Sequence, residues 1–394
     1  MKPAIFTSRA LRFVLLIGIM SFFADFTYEG SRSIVGPYLA LLGASAVAVA
    51  SITGFGELLG YGLRIVSGNL SDSTRQFWPI TIVGYIVQMA AVPLLALAGS
   101  WQVAAILIIL ERVGKATRNP PRDVMLSHAG KEMGGYGWAF GLHEALDQFG
   151  ALCGPLIIAA VLALRGNYQL AFAVLAIPAL IMLGLLAVAR LTYPHPEEME
   201  SHPPNVQAQG LPGAFWLYLV GAMLAGAGFA DFPFIAYHFE RLSIVPGALV
   251  PVFYAVAMGV SGTGSLLFGR LFDRFGIVVL LPLTILSALY VPLVFLGNFW
   301  LGLVGVALWG LGMGVQESII PAAVAHMVPV ERRASAYGLF TTGYGVFWFL
   351  GSVVIGVLYS FSLPALIAFG VVVELAAIPL FLLVRQRMTT TRAA

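Results

Sequence analysis

The sequence is poor in charge. Asp, Glu, Lys and Arg make up 10% of its 394 residues, whereas about 25% is usual for a soluble globular domain. Hydrophobic residues make up 59%, and the mean hydropathy is +0.92. This composition excludes an ordinary soluble domain and indicates an integral membrane protein.

Cysteine and the common catalytic motifs are also scarce. Cys153 is the single cysteine, which excludes a disulfide framework within the chain. The sequence contains no G-x-x-x-x-G-K-[ST] phosphate loop, no HExxH and no CxxC. We therefore expect no ATP-driven step, no cofactor, no resident metal and no enzymatic activity.

Long apolar runs fill most of the chain. A bilayer crossing needs about 20 apolar residues, so the runs predict an all-α integral membrane fold with twelve transmembrane helices. The predicted spans are 11–41, 46–69, 78–98, 102–121, 135–164, 168–190, 213–239, 247–270, 277–297, 299–325, 335–360 and 362–384.

A segment rich in Pro and Glu, 192–212, is the longest break in this pattern. It predicts an N-terminal six-helix bundle over 1–191 and a C-terminal one over 213–394. Thirteen Lys and Arg residues fall in the predicted inner segments, against Arg165 and Arg241 in the outer loops. By the positive-inside rule both termini and the 192–212 linker are cytoplasmic, in the inner membrane of the cell. Topology thus explains the net charge of +3, and we expect no nucleic-acid partner.

The two halves repeat in sequence. At an offset of 201, Gly68 matches Gly269 and Gly150 matches Gly351, and Ala24-Asp25-Phe26 matches Ala230-Asp231-Phe232 at an offset of 206. A duplication of six helices is typical of secondary transporters, whose two halves are pseudo-symmetric and rock about a site near the bilayer midplane.

Charged residues nevertheless lie inside the predicted spans. Glu111, Arg112, Lys115 and Arg118 fall in the fourth, where each charge costs about 2.5–3.5 kcal/mol on insertion scales. They therefore require partners in the protein interior or a wet cavity. Candidate partners at similar depth are Asp25, Glu29 and Arg32 in the first span, Glu57 in the second, and His143, Glu144 and Asp147 in the fifth.

These residues predict a proton-coupling site. Our hypothesis is that Asp25, Glu57 or Asp147 carries the coupling proton, with Arg112 as its counter-charge and Glu144 in the same group. We place Glu29, Arg32 and His143 at the substrate site, although a packed histidine and structural ion pairs are alternatives.

In the second half, Asp231 precedes Pro233 in a helix expected to be broken, and we expect Asp231 to face the substrate. Glu374 is expected to be peripheral. Further substrate-binding candidates, for which ordinary packing is the alternative, are Tyr237, Glu317, Tyr344 and Trp348.

Two loops carry a recognisable motif. Gly68-Asn69-Leu70-Ser71-Asp72 and 269–276 resemble the G-x-L-x-D-R-x-G-R signature of the major facilitator superfamily, which lies between helices 2 and 3 and recurs between helices 8 and 9. The first copy departs from it, since Ser73 replaces the Arg and the second Gly is missing. The resemblance implies roles in conformational gating for Asp72, Arg75, Asp273 and Arg274.

The stretch 150–155 resembles the helix-5 G-x-x-x-G-P motif of drug:proton antiporters in that superfamily, and Arg112 lies where their helix-4 Arg is expected. This resemblance implies close packing and gating by Gly150, Gly154 and Pro155. Tight packing without antiport is the alternative.

The sequence therefore predicts a monomeric secondary transporter that exports a small amphiphilic organic compound in exchange for protons. A proton-coupled importer and a metal or siderophore carrier remain alternatives. From another class, an intramembrane enzyme would use Glu144, His143 and Asp147 as acid, base and orienting group.

Overall fold

A computed structural model of the chain describes residues 9–132, 136–195, 211–328 and 333–393. These residues are helical apart from short turns, which confirms the predicted all-α fold. The helices are α1 (Arg9–Leu41), α2 (Ala46–Thr74), α3 (Phe77–Leu94), α4 (Trp101–Glu132), α5 (Tyr136–Arg165), α6 (Tyr168–Val174), α7 (Ala176–Thr192), α8 (Gly213–Gly228), α9 (Phe232–Arg241), α10 (Val250–Phe275), α11 (Leu280–Ala288), α12 (Tyr290–Phe295), α13 (Phe299–Met327), α14 (Arg333–Phe361), α15 (Leu363–Leu375) and α16 (Ala377–Ala393).

Each predicted span coincides with a helical stretch, some of them built from two consecutive helices. Within the described ranges, eleven stretches are long and apolar enough to cross a membrane. Helix α4 is the predicted span that does not qualify, because four charged residues lie between positions 111 and 118.

We predicted that the fourth span ends at Pro121. Helix α4 instead continues to Glu132. A proline inside a helix removes one backbone N–H, which leaves the carbonyl four residues earlier without its donor. For Pro120 this is the carbonyl of Ala116, and the Ser67 hydroxyl donates a hydrogen bond to it at 2.8 Å. Side chains of neighbouring helices commonly satisfy such freed groups in membrane proteins, and here the helix passes through both prolines.

The chain forms two compact units. The first contains Met1–Ile34 and Leu59–Asn205, and the second contains Val35–Leu58 and Val206–Ala394. The end of α1 and the start of α2 thus belong to the second unit. The division into bundles over 1–191 and 213–394 remains a prediction.

In the first unit, glycines bring helix backbones into contact. A Cβ atom at Gly150 would lie 2.2 Å from the carbonyl oxygen of Phe22, and one at Gly154 would lie 2.2 Å from that of Phe26. Helices α5 and α1 therefore pack at a distance that only glycine allows at these two positions.

The second unit repeats this arrangement. A Cβ at Gly351 in α14 would lie 2.0 Å from the carbonyl oxygen of Ala227 in α8. Gly351 is the sequence match of Gly150, so the repeated glycine makes the same kind of contact in both units. The segment 35–58 packs equally closely, since a Cβ at Gly36 would lie 1.7 Å from the carbonyl oxygen of Pro233.

A similar hydrogen bond occurs in each unit. Ser265 in α10 donates its hydroxyl to the carbonyl oxygen of Gly314 in α13 at 3.2 Å. The bond from Ser67 to Ala116 joins α2 to α4 over the same separation of 49 residues. The two bonds thus resemble each other, although they do not lie at the offset that relates Gly150 to Gly351.

Candidate functional site

Arg118 of α4 is the centre of a buried polar network in the first unit, and its side chain is almost fully enclosed. Its Nη2 lies 3.5 Å from Oδ1 of Asp25 in α1. Its Nε donates to Oε1 of Gln88 in α3 at 2.6 Å, and its Nη1 donates to the Tyr85 hydroxyl at 3.2 Å. The guanidinium also stacks over the Tyr85 ring, 4.5 Å from the ring centre.

Helix α3 can present Gln88 to α4 because the two helices meet at glycines. A Cβ at Gly84 would lie 2.7 Å from the Arg118 nitrogen, and one at Gly114 would lie 2.6 Å from the Gln88 nitrogen. Gln88 also donates from Nε2 to Oε1 of Glu111 at 2.9 Å. The Gln88 side chain therefore bridges Glu111 and Arg118, an acid and a base that both belong to α4.

A second group of charges surrounds the Tyr28 ring in α1. The Lys115 ammonium lies 3.7 Å from the ring centre, and the guanidinium carbons of Arg112 and Arg32 lie 4.9 and 5.9 Å away. Arg112 also donates from Nη1 to the Tyr28 hydroxyl, and its Nε lies 3.6 Å from Oε2 of Glu111. Cation–π attraction of this kind is strongest where the cation is desolvated.

Asp147 of α5 lies near the network. Its Oδ1 is enclosed and has no hydrogen-bond partner among the described residues. Its carboxylate interacts electrostatically with the charged groups of Asp25, Glu144, Arg122 and Lys115. Glu144 itself is exposed and accepts a hydrogen bond from Gln148 at 3.1 Å.

His143 has a more structural setting. It is buried, and its Nε2 forms a hydrogen bond with the Ser21 hydroxyl at 2.7 Å. Arg122 donates to the same hydroxyl at 3.3 Å and pairs with Asp123 at 2.7 Å. This hydrogen bond joins α5 to α1.

The second unit contains an interrupted helix, as predicted before Pro233. Helix α8 ends at Gly228, and α9 begins at Phe232. Between them, Asp231 accepts a hydrogen bond at Oδ1 from the N–H of Phe232 and so caps α9. The Ala230 N–H donates to the Tyr290 hydroxyl at 2.5 Å, and the Ala230 carbonyl accepts from Trp309 Nε1 at 2.8 Å. Interrupted helices of this kind form substrate and ion sites in transporters.

Aromatic side chains enclose the interruption. The Phe229 ring lies 5.1 to 5.6 Å from the rings of Tyr290, Trp309 and Trp348. Trp348 is in turn 5.6 Å from Tyr344, whose hydroxyl donates to Gln316. Tyr237 lies further along α9 and accepts a hydrogen bond from Arg241 at 3.2 Å. The aromatic candidates are therefore buried and packed.

Asp231 also borders a narrow crevice of the second unit. The crevice has no room for a water molecule. Its lining residues are Ala50, Thr53, Ala230, Asp231, Phe234, Ser352 and Ile355.

The remaining predicted residues are placed as follows. Glu57 is buried in the second unit, whereas Asp25, Glu29 and Arg32 belong to the first. Arg75 and Arg274 are exposed at the ends of α2 and α10. Pro155 lies inside α5. The side chains of Asp72, Asp273 and Glu317 lie outside the described part of the chain.

Several residues of these networks could not be recognised from the sequence. Gln88, Tyr28 and Tyr85 carry no charge and lie in apolar runs, so hydropathy gave no signal for them. Arg118 was recognised as a buried charge, but the coupling role was assigned to Arg112. Glu374, expected to be peripheral, is in fact only 2% exposed. That expectation was wrong, because α15 packs against α8, where a Cβ at Gly228 would lie 2.9 Å from the Glu374 nitrogen.

Comparison with known proteins supplies the family. The model of the Major Facilitator Superfamily matches residues 17–296 and 277–393. An uncharacterised protein of Mycobacterium tuberculosis is 41% identical over 391 residues, which cover 98% of this chain and 95% of that protein. An uncharacterised MFS-type transporter of Methanocaldococcus jannaschii is 26% identical over 374 residues, 92% of each chain.

Solved structures show the same fold. A crystal structure of the nucleoside transporter NupG has a TM-score of 0.73 at 14% identity, covering 95% of this chain and 98% of that one. A POT family transporter in complex with 5-aminolevulinic acid has a TM-score of 0.75 at 13% identity, covering 95% of each chain.

Proposed function

The chain belongs to the major facilitator superfamily, and we propose that it is a proton-coupled exporter of a small amphiphilic organic compound. Its family makes it a multi-pass membrane transporter and not an enzyme, so the intramembrane enzyme considered above is wrong. The family shows a membrane transporter. Our proposal adds that the coupling ion is the proton, that transport is outward, that the substrate is a small amphiphilic organic compound, and that a monomer transports it by alternating access.

One observation carries the coupling proposal: Asp25 and Asp147 lie close enough for their charges to interact, and Arg118 pairs with Asp25 at 3.5 Å. Two carboxylates near each other in a medium of low dielectric constant do not both ionise readily, so one of them holds a proton. A conformational change that weakens the contact between Arg118 and Asp25 would favour protonation of Asp25.

The proposed counter-charge is therefore Arg118, with Arg112 holding Glu111 and Tyr28 in place. The bidentate geometry of a guanidinium suits this task, because Arg118 contacts Asp25, Gln88 and Tyr85 at the same time. Loading a proton on Asp25 would release one of these three contacts and leave the other two intact.

The substrate proposal rests on the second unit. Asp231 supplies a charged group at the crevice, and the aromatic rings around Phe229 supply apolar surface. A site of this composition suits a compound with an apolar body and one polar or charged group. The relatives named for nucleosides and 5-aminolevulinic acid support a small organic substrate. The direction rests on the helix-5 motif at 150–155, and the membrane and the cytoplasmic termini rest on the positive-inside count.

The test uses purified chain in proteoliposomes with a pH-sensitive dye inside and an imposed pH gradient. A panel of amphiphilic compounds that are positive, negative or neutral is added outside. We expect at least one compound to dissipate the gradient, and Asp25→Asn or Asp147→Asn to abolish this proton movement while exchange of labelled compound for unlabelled compound continues.

Arg165→Gln, at an exposed position outside the network, is the matched control and should retain full activity. Full proton-driven transport by both aspartate variants would overturn the coupling proposal. Compound movement that ignores the pH gradient in the unmodified chain would overturn proton coupling altogether.

A further inference from the structure

Lys115 of α4 is a cation without an ion-pair partner in the described part of the chain. The residue is partly buried, and its ammonium lies 3.7 Å from the centre of the Tyr28 ring. Within the described ranges this ammonium forms no hydrogen bond and no ion pair. Glu111 and Asp147 act on it electrostatically, but from beyond ion-pair distance. An ammonium has three N–H donors, so Lys115 can still donate to a ligand.

Two further cations lie beside the same ring. The guanidinium carbons of Arg112 in α4 and Arg32 in α1 lie 4.9 and 5.9 Å from the centre of the Tyr28 ring. Both arginines are buried, and Arg112 also donates from Nη1 to the Tyr28 hydroxyl. We call Tyr28, Arg32, Arg112 and Lys115 the Tyr28 cluster. All four belong to the first unit, so three positive groups converge on one uncharged side chain.

The neighbouring acids offset only part of this charge. Glu111 of α4 lies 3.6 Å from Nε of Arg112 and accepts a hydrogen bond from Gln88 at 2.9 Å. Glu29 follows Tyr28 in α1 and is also buried. With both acids ionised, the three bases of the cluster exceed them by one positive charge.

Positive charge of this kind is costly in the interior of a membrane protein, and ionisable residues placed there typically mark substrate pathways. Cation–π attraction to one tyrosine ring is weaker than this cost, so the ring alone does not explain why three cations surround it. The cations also repel one another. An anion that binds among them would relieve the repulsion and supply the missing acceptor for Lys115.

A carboxylate suits the Tyr28 cluster best. A guanidinium offers parallel N–H donors that match the two oxygens of a carboxylate, and an ammonium adds a compact charge with three donors. A single excess positive charge matches a monoanion, whereas a phosphate monoester carries close to two negative charges at pH 7. The Tyr28 ring supplies apolar surface next to the charges.

We propose that the Tyr28 cluster binds the carboxylate of an organic substrate. The Lys115 ammonium donates to the carboxylate, and the guanidinium groups of Arg32 and Arg112 add positive charge around it. This site rests on the proposed function for the existence of an organic substrate, and it adds the sign of one charged group of that compound.

The test measures binding to the purified chain in detergent, without a membrane and without a pH gradient. The probes share an aromatic ring and differ in the attached group: benzoate, phenyl phosphate, benzylamine and benzyl alcohol. A compound that binds the folded chain raises its unfolding temperature. We expect benzoate to raise this temperature saturably and more than phenyl phosphate does, and we expect benzylamine and benzyl alcohol to leave it unchanged.

Variants of Lys115 locate the site. Lys115→Gln should raise the apparent dissociation constant for benzoate at least tenfold, whereas Lys115→Arg keeps the charge and should raise it less than threefold. Arg64→Gln is the matched control, because Arg64 is a partly buried cation of the same unit whose guanidinium carbon lies 5.4 Å from the centre of the Tyr61 ring. It removes one positive charge and one cation–π contact, and it should leave benzoate affinity unchanged.

Three results would overturn the site. Benzoate that causes no shift, or the same shift as benzylamine, would exclude an anion site, and this comparison uses the unmodified chain whether or not Lys115→Gln folds. A larger shift with phenyl phosphate than with benzoate would exclude the assignment to a carboxylate. Equal weakening by Lys115→Gln and Arg64→Gln would attribute the effect to overall charge.

These outcomes differ from those of the proteoliposome test. A chain that binds benzoate as expected but moves no protons would lose the coupling proposal and keep the carboxylate site. Proton-coupled transport that is restricted to compounds without a negative group would keep the coupling proposal and overturn the carboxylate site.

Discussion

Arg118 and Asp25 form a buried ion pair that joins α4 to α1, with Nη2 and Oδ1 separated by 3.5 Å. Both side chains are at least nine-tenths enclosed. At 3.5 Å the contact is long for a charge-assisted hydrogen bond, which has an optimum near 2.8 Å. The shorter bond from Arg118 is the one to Gln88, at 2.6 Å. The guanidinium is therefore held more closely by a neutral amide than by its acidic partner.

The first prediction concerns this pair. Replacing Arg118 with Gln leaves Asp25 as an uncompensated buried acid, and breaking a buried pair in this way costs about 3–5 kcal/mol. We expect thermal unfolding of the purified chain, followed by tryptophan fluorescence in detergent, to shift to a markedly lower temperature. Adding Asp25→Asn to Arg118→Gln should recover at least half of the loss, because the unpaired charge is then removed.

Arg165→Gln serves as the control, since Arg165 is exposed and such a change usually alters stability by less than about 0.5 kcal/mol. If the Arg118→Gln and Arg165→Gln variants unfold at the same temperature, the ion pair between Arg118 and Asp25 contributes nothing to the stability of the folded chain.

The sequence alone predicted the helices and the buried charges well, because hydropathy and the cost of a charge in lipid are properties of the residues themselves. It did not predict which charges meet. On α4, Arg112 and Arg118 are both buried, and their partners depend on the rotation and depth of the helix. That rotation is set by the mutual contact of Gly84 and Gly114, and a close approach of two glycines leaves no hydropathy signal.

Glu374 was misplaced for a related reason. The residues that flank it in α15 are apolar on all sides, so the pattern does not indicate which face turns inward. The interruption at 229–231 agrees with the prediction made from Pro233, but a proline alone does not decide such a break, since α4 continues through Pro120 and Pro121.

A second prediction tests how α4 passes through its prolines. Ser67→Ala leaves the Ala116 carbonyl buried without a donor, which costs about 1–3 kcal/mol. The change Ser265→Ala, which removes the similar bond to Gly314, should cost less than about 1.5 kcal/mol, because the residue four positions after Gly314 keeps its backbone N–H. The unfolding temperatures of the two variants measure this difference.

Rescue makes that comparison sharper. Pro120→Ala restores the backbone N–H that Pro120 lacks, so the double variant Ser67→Ala/Pro120→Ala should regain the stability lost by Ser67→Ala. Equal losses for Ser67→Ala and Ser265→Ala would show that the carbonyl of Ala116 finds another donor.

A third prediction concerns the helix contact made by the glycines of α5. Gly150→Ala adds a methyl group 2.2 Å from the Phe22 carbonyl oxygen, so α1 and α5 must separate. Forced overpacking of this kind typically costs about 1–3 kcal/mol. Gly184→Ala is the control, because no atom lies within 4 Å of a Cβ at that position, and alanine is the better helix former by about 1 kcal/mol.

We therefore expect Gly150→Ala to lower the unfolding temperature and Gly184→Ala to leave it unchanged or raise it. Gly351→Ala, at the matching position of the second unit, should behave like Gly150→Ala. A loss at one of these two positions alone would show that the repeated contact is not equivalent in the two units.

The fourth prediction concerns the two copies of the loop motif. Gly276 has φ +66° and ψ −151°, a region open essentially to glycine alone. At the matching position of the first copy, Arg75 is held at φ +57°. A side chain in this left-handed region costs about 1–2 kcal/mol. The missing glycine of the first copy therefore leaves strain in the backbone.

Arg75→Gly should relieve that strain and raise the unfolding temperature, and Arg75→Asn should do so partly, because asparagine tolerates positive φ better than arginine. Gly276→Ala should lower stability by about 1–3 kcal/mol. Ser73→Gly is the control: position 73 lies in the last turn of α2, where glycine is unfavourable by up to about 1 kcal/mol. A gain from Ser73→Gly equal to that from Arg75→Gly would attribute the effect to loop flexibility instead of to the left-handed conformation of Arg75.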